Sequence, residues 1–326
     1  MDSVRYIDLF CGIGGFRTAM DQACAKIGIN SECVFSSDID EHARISYEAN
    51  YGHRPHGDIT KVSESEVPDH DILFAGFPCQ PFSIIGQRKG FEDTRGTLFF
   101  DIARILNYKR PKAFILENVK QLVGHNKGNT LRVIIDSLKE MGYTVYVKVL
   151  NALHYGLPQK RERIIIVGHL EPILFSFPDP ESSFIPLDKI LESQVDRKYY
   201  ASERIREKRN KSHTSDHYPS IWHENKSGNI SSYPFSCALR AGASYNYLLV
   251  NGERRLTPRE MLRLQGFPDE FQIVVSDSQL RKQAGNAVPV NVIEAVLLKL
   301  LPFVSKSLDE AVYLREPAEN YSVING

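Results

Sequence analysis

The sequence lacks an uninterrupted apolar run of roughly 18 residues, the length that a membrane-spanning helix requires. It also has no charged-then-apolar leader, because the chain enters the apolar stretch VRYIDLF directly after its third residue. These absences argue against a membrane or secreted protein. We therefore expect a cytosolic or nuclear location.

Cysteines are few and badly placed for pairing. The five cysteines lie far apart and form no Cys-x-x-Cys pair, which argues against a disulfide scaffold and structural zinc and leaves a catalytic thiol possible. Net charge is also lacking, since 40 Lys and Arg balance 40 Asp and Glu. A polyanion partner would therefore need a local basic surface.

What the chain does have is an alternation of short apolar, β-branched runs with helical stretches. This alternation predicts an α/β fold with a mostly parallel sheet and helices on both faces. After about Leu170 the alternation stops, and a polar, irregular region predicts a second, smaller domain. The predicted strands cover residues 4–10, 32–38, 71–77, 113–119, 144–152 and 163–170.

Four helices are also predicted, and the first covers residues 96–108. A helical pattern over 129–142 ends on Gly142, and Thr257 with Glu260 predicts a capping box at the start of another helix. The apolar helix that begins near Val290 is expected to pack on the sheet.

A glycine-rich loop follows the first predicted strand. Gly12, Gly14 and Gly15 would let a nucleotide or nucleoside approach the backbone at the carboxyl edge of the sheet. The spacing matches neither a dinucleotide fingerprint nor a P-loop, so a plain tight turn stays open. Asp38 and Asp58 are expected at the ends of the second and third strands, although each could simply cap a helix or turn.

Cys79 stands between two prolines at the end of the third apolar run. The prolines restrict the backbone, which favours a positioned nucleophile over a buried packing cysteine. Glu117 ends the next run, where partial desolvation would help it hold a proton, unless it is only a capping acid. Arg161 and Arg163 alternate along an extended segment and should point together towards the same edge, unless they form a solvated face.

These stretches together resemble the C5-cytosine DNA methyltransferases of the bacterial restriction-modification type. The resemblance covers nearly the whole chain in the family's order. It is carried by DLFCGIGGF, GFPCQPFS, ENV, QKRERI, RLTPREMLRLQGFP and QAGNAVPVNV.

The resemblance implies a Rossmann-like fold that binds S-adenosylmethionine, with a small, irregular, mainly β target-recognition domain. The implied boundaries are 1–190 for the catalytic domain, 191–258 for target recognition, 259–284 for a hinge and 285–326 for the returning catalytic part. Phe10 would lie against the adenine, Asp38 would bind the ribose and Asp58 the adenine amine. The remaining implied cofactor contacts are Cys11, Gly12, Ile13, Gly14, Gly15, Ile39, Ile59, Pro78, Leu98, Asn286, Ala287 and Val288. Asp38 and Ile39 stand where many members have a glutamate and an aromatic.

The same resemblance implies a covalent mechanism. Cys79 would add to carbon 6 of a flipped-out cytosine while Glu117 contacts N3 and the exocyclic amine. Arg161 would hold the O2 edge of the ring, and Arg163 would organise the site. No metal is implied.

Double-stranded DNA is the implied partner. The region 191–258 carries 11 Lys and Arg against 7 Asp and Glu, an excess of four positive charges that suits phosphate contacts. Arg240 and Asn246 have the donors and acceptors to contact base edges there. The loop after the proposed nucleophile would close over the DNA with Ser83, Arg88, Lys89 and Arg95.

Alternatives remain at this point. A transfer-RNA cytosine-5 methyltransferase and a catalytically silent DNA-binding protein share the motifs, whereas a nicotinamide-dependent oxidoreductase fails on the glycine spacing. The resemblance further implies a monomer in the bacterial or archaeal cytosol, associated with the nucleoid. A cognate restriction endonuclease would act alongside it without stable contact.

Overall fold

The computed structural model describes residues 3–78 and 98–305. Five residues with predicted roles lie outside the described ranges. These are Cys79, Ser83, Arg88, Lys89 and Arg95.

A six-stranded sheet forms the centre of the described structure, in the order β2, β1, β3, β4, β7, β5. Strand β1 pairs in parallel with β2 and β3, and β3 pairs in parallel with β4, whereas β7 runs antiparallel to both β4 and β5. The predicted mostly parallel sheet is therefore confirmed. The strands are β1 (Ser3–Leu9), β2 (Asn30–Ser37), β3 (Ile72–Gly76), β4 (Ala113–Val119), β5 (Thr144–Asn151) and β7 (Glu162–His169).

Helices cover both faces of this sheet, as predicted. Because side chains alternate along a strand, Ile72 and Phe74 join the core beneath α1 and α8, whereas Leu73 and Ala75 join the core beneath α3 and α4. The helices are α1 (Gly15–Ile27), α2 (Glu41–Tyr51), α3 (Leu98–Lys109), α4 (Asn129–Glu140) and α8 (Val290–Leu300).

The small region contains an antiparallel three-stranded sheet in the order β11, β8, β9. The helix α5 (Glu203–Ser212) in its most basic stretch was not predicted, because its sequence has no apolar period and Arg209 is its one buried residue. The strands are β8 (Ile221–Glu224), β9 (Ile230–Tyr233) and β11 (Leu248–Val250). Two shorter strands, β6 (Gln159–Lys160) and β10 (Ser236–Cys237), pair with each other and join this region to the large one.

Two helices lead back to the large sheet, α6 (Pro258–Leu264) and α7 (Asp277–Asn286). The capping box predicted for α6 is confirmed: Thr257 Oγ1 accepts from the Glu260 backbone N–H at 3.2 Å, and the Glu260 carboxylate accepts from the Thr257 N–H at 2.8 Å. Leu264 and Ala284 belong to the same buried cluster as Leu239 and Leu248. The small region is therefore packed on these helices.

The segment Asp277–Phe303 has the length and composition of a membrane span, but 72% of its apolar window is buried within the fold. Its second half, α8, packs against α1 and the sheet. The apolar composition is accounted for by this core packing.

Candidate active site

A cavity of about 470 Å³ opens at the carboxyl ends of β1 to β4. The carboxyl edge of such a sheet is where α/β proteins bind ligands. Most of the predicted cofactor residues lie in its wall. Those that do are Phe10, Cys11, Gly12, Gly15, Asp38, Ile39, Pro78, Leu98, Asn286, Ala287 and Val288.

The glycine-rich loop forms one wall through its backbone. Gly12 and Gly14 adopt φ values of +55° and +83°, and a Cβ atom on Gly14 would lie 2.3 Å from the Tyr51 ring. A Cβ atom on Gly15 would lie 2.7 Å from a methyl group of Val288. The loop conformation and the approach of the C-terminal segment therefore require glycine here.

Asp38 ties this loop to the end of β2. One carboxylate oxygen accepts from the Gly12 N–H at 2.8 Å, and the other accepts from the Asp40 N–H at 2.7 Å. Burial raises the pKa of Asp38 above its ordinary value, and these backbone hydrogen bonds act in the opposite direction. The neighbouring Ile39 is 76% exposed and lines the cavity, so an apolar surface is available beside the carboxylate.

Asp58 and Ile59 do not share this wall. Asp58 caps a single 3₁₀ turn, accepting from the Thr60 N–H at 3.1 Å and the Thr60 hydroxyl at 2.8 Å, and Ile59 is buried in the core. The expectation that Asp58 ends the third strand is wrong, because Asp58 lies well before β3, which begins at Ile72. Neither residue is among the described residues that line the cavity. Ile13 and Gly14 are likewise not among those lining residues.

The centre of the site is an ion pair between Glu117 and Arg163. Arg163 Nε lies 2.7 Å from Glu117 Oε1, and both side chains are largely buried. The pairing follows from topology, because antiparallel β7 begins where β4 ends and Arg163 stands opposite Val119. Arg163 therefore projects on the same face as Glu117, one diagonal step away.

Burial raises the pKa of Glu117 above its ordinary value, and the positive charges of Arg163 and Arg161 oppose that effect without cancelling it. The carboxyl group also lines the cavity. The site therefore presents a desolvated acid that can hold or share a proton with a ligand in the cavity.

Arg161 is not among the described residues that line the cavity, whereas Arg163 is. The expectation that both arginines face the edge together is therefore wrong. The Arg161 guanidinium donates to the carbonyls of Leu239 at 2.9 Å, Gly285 at 3.0 Å and Ala287 at 2.7 Å. The alternation fails because Arg161 sits between β6 and β7, which belong to different sheets. Burial lowers the pKa of this guanidinium below its ordinary value. Arg161 therefore connects the small region to the C-terminal segment of the cavity wall.

Asn118 fixes the chain where β3 leaves the sheet. Its Nδ2 donates to the Phe77 carbonyl at 2.8 Å, immediately before Pro78. Both Phe77 and Pro78 line the cavity. The backbone that leads to Cys79 is thus held beside Glu117.

Several cavity residues were not predicted as site residues, and the polar ones among them include Asp40, Lys282 and Gln283. Lys282 Nζ lies 2.6 Å from Asp40 Oδ2, which closes one side of the opening. Gln283 Oε1 accepts from Ser46 at 3.1 Å, whereas its buried Nε2 has no partner among the described residues. A sequence signal was present for Gln283 alone of these three, because it begins the motif QAGNAVPVNV.

In the small region, Arg240 is exposed and its guanidinium lies over the Tyr247 ring, 4.8 Å from the centroid. Asn246 is half-buried: its backbone carbonyl accepts from Arg209, and its side-chain oxygen is buried without a partner among the described residues. Of these two predicted DNA contacts, Arg240 is the more accessible.

Comparison with known proteins agrees with this geometry. The model of the family described as C-5 cytosine-specific DNA methylase matches residues 4–301. The chain is 55% identical to the type II methyltransferase M.NgoBI of Neisseria gonorrhoeae, with 96% of this chain and 98% of that protein covered. It is 54% identical to the type II methyltransferase M.HaeII of Haemophilus aegyptius, with coverages of 96% and 99%.

Among solved structures, the Entamoeba histolytica methyltransferase EhMeth superposes with a TM-score of 0.72 at 18% identity, covering 94% of this chain and all of that one. That similarity supports the fold alone. The family match and the close relatives identify the activity, and they favour a DNA enzyme over the transfer-RNA and silent alternatives. The chain therefore belongs to the C-5 cytosine-specific DNA methylase family and is a DNA cytosine-5 methyltransferase.

Proposed function

We propose that this enzyme methylates carbon 5 of a cytosine flipped out of a specific duplex sequence, through a transient covalent bond to Cys79. The observation that carries the proposal is the buried ion pair between Glu117 and Arg163. Beside it, Asn118 holds the Phe77 carbonyl at the end of β3, two residues before Cys79 in the sequence. This chemistry requires a desolvated acid and a thiol, and Cys79 is the residue that follows Pro78 in the sequence.

Carbon 5 of cytosine is a poor nucleophile until the ring becomes electron-rich. The Cys79 thiolate would form a bond to carbon 6, and Glu117 would supply a proton or hydrogen bond at N3 to accept the displaced charge. Carbon 5 then becomes nucleophilic. Once it carries the methyl group, loss of its proton and expulsion of the thiolate restore the aromatic ring.

Arg163 suits the role of ring holder better than Arg161. Its guanidinium contacts Glu117 directly and lines the cavity, so it can orient the carboxyl group and donate to the O2 edge. Three backbone carbonyls already engage both terminal nitrogens of Arg161, which is not among the described residues that line the cavity.

We assign the described cavity to S-adenosylmethionine, since its strand-end backbone and the Asp38 carboxylate suit a nucleoside. When bound, this cofactor supplies the methyl group as a sulfonium. The Asp38 carboxylate would hold the ribose hydroxyls, with Phe10 and the exposed Ile39 beside the adenine. The buried Nε2 of Gln283, which has no partner among the described residues, would donate to an acceptor on the cofactor.

DNA would approach the open side of this cavity. Because the reacting atoms of cytosine are buried in the duplex stack, the base must be extruded, at a cost of roughly a few kcal/mol. Phosphate contacts would come from the basic small region and from the loop 83–96. As in restriction-modification systems generally, a separate endonuclease of the same specificity would share the bacterial or archaeal cytosol with this enzyme, which would act as a monomer.

The test is transfer of labelled methyl groups from S-adenosylmethionine to duplex DNA and, in parallel, to transfer RNA. We expect incorporation into DNA alone, and bisulfite sequencing should then locate it at one cytosine of a recurring short sequence. Incorporation only into transfer RNA, or none into either, would refute the proposal.

A further inference from the structure

A second cavity, of about 290 Å³, lies between the small region and helices α6 and α7. It is separate from the cofactor cavity, since the described residues that line the two differ. Its apolar floor consists of Leu239, Leu248, Leu256, Pro258 and Met261.

Tyrosine rings and arginine side chains form the walls of this second cavity. The Arg281 guanidinium lies 4.5 Å from the centroid of the Tyr245 ring, and the Arg255 guanidinium lies 5.9 Å from the same centroid. Arg240 lies 4.8 Å from the centroid of Tyr247. Flat cationic and aromatic surfaces of this kind stack on planar bases.

The cavity is also strongly positive. Four cations line it, Lys198, Arg240, Arg255 and Arg281, against one acid, Asp277. Asp277 is already engaged, because it lies 3.0 Å from Lys198 and accepts from the Tyr199 hydroxyl at 2.8 Å. The remaining positive charge is available to an anionic ligand.

A shared wall joins this cavity to the cofactor site. The segment that includes Leu239 and Arg240 packs against Gly285, where an added Cβ atom would lie 2.3 Å from the Ala241 backbone nitrogen. Gly285 itself lines the cofactor cavity. This segment therefore lies between the second cavity and the part of the cofactor cavity that Gly285 lines.

We propose that the second cavity binds one unstacked nucleotide of the DNA substrate, other than the target cytosine. The inference rests on the proposed function, in that DNA is the ligand. A planar base would stack on Tyr245 over the apolar floor, and its phosphate would meet Arg240. An apolar floor, aromatic walls and a cationic rim together match the base and the phosphate of one nucleotide.

The experiment compares two short duplexes that contain no target sequence, one with an extra unpaired thymidine and one with a baseless residue at the same place. Fluorescence anisotropy would give the dissociation constants of the full-length enzyme for each. We expect the thymidine duplex to bind about tenfold more tightly, since stacking on an aromatic residue is worth roughly 1–3 kcal/mol.

Tyr245 provides the matched variants, because its side chain is 55% exposed and its removal leaves the core intact. Tyr245→Ala should bring the two dissociation constants together, whereas Tyr245→Phe should keep the tenfold preference. Arg240→Gln should weaken both duplexes alike and lower the salt dependence by about one counterion.

The idea fails if wild type shows no preference, or if Tyr245→Ala keeps it. Thymidine monophosphate is a further probe: if it binds the wild type but the duplexes are not distinguished, the cavity takes a free nucleotide and the proposal is wrong. Methyl transfer to paired DNA, measured on the same proteins, separates the two proposals. Normal methyl transfer without a preference for the thymidine duplex would refute the nucleotide-binding proposal alone. Absent methyl transfer by the wild type would refute the proposed function.

Discussion

The walls of the two cavities in this enzyme consist of different parts of the chain. The cofactor cavity is shaped by backbone at strand ends and by acids that burial and hydrogen bonds hold in place, such as Asp38 and Glu117. The second cavity is lined by side chains from loops and from helices α6 and α7, several of them exposed. Chemistry needs fixed geometry, so we expect changes in the first cavity to affect turnover and changes in the second to affect DNA affinity.

The largest expected effect is on turnover. Glu117→Gln removes the acid but keeps the shape, so the single-turnover rate of methyl transfer should fall roughly 10²- to 10⁴-fold. The DNA dissociation constant should change little. Glu162→Gln is the matched control, because that acid is an exposed partner of Lys120 on the same strand as Arg163. Equal rates for the two variants would remove Glu117 from its role.

The junction of the two regions should show the next largest effect. Arg161→Met leaves three buried carbonyls without their donor, so the free energy of unfolding should fall by about 3 kcal/mol. Cofactor and DNA affinities should fall together. Arg259→Met is the control, since Arg259 also donates to carbonyls, but it is half-buried and its partners belong to Pro268 and Phe271 in the loop after α6. A loss confined to turnover would show that Arg161 acts on the substrate ring instead.

A pH dependence distinguishes the two opposing influences on Glu117. Because its folded pKa is raised above 4.5, the folded enzyme should lose stability relative to Glu117→Gln as pH rises from that value through the raised pKa. The slope is limited to about 1.4 kcal/mol per pH unit. Denaturant titrations of both proteins across this range measure it. A relative gain in wild-type stability with rising pH would mean that Arg163 outweighs burial.

The smallest effect should lie in the hinge. Thr257→Ala removes the hydroxyl that caps α6, which should cost about 1 kcal/mol of stability. Turnover at low temperature should be unchanged, because the cap lies outside the cofactor cavity. Thr257→Ser keeps the hydroxyl and should restore most of the stability. A large loss of activity from Thr257→Ala would show that the hinge reaches into the chemistry.

The same contrast explains what could be predicted from sequence. Asp38 and Glu117 follow apolar runs, and parallel strands bring their carboxyl ends to one edge, so their positions were predictable. Asp58 and Arg161 were not, because a 3₁₀ turn and a change of sheet interrupt the regular spacing on which those predictions depended. The second cavity had no sequence signal, since its residues, from Lys198 to Arg281, come from separate loops, one strand and two helices that share no motif.

The central claim is that Cys79 attacks the target base with Glu117 as its partner. Its most direct test is a duplex carrying 5-fluorocytosine at the methylated position, incubated with enzyme and S-adenosylmethionine and analysed by denaturing electrophoresis and peptide mass mapping. We predict a denaturation-resistant adduct mapped to Cys79 and absent from Cys79→Ser. No adduct with wild type, or an adduct on another of the five cysteines, would contradict the account.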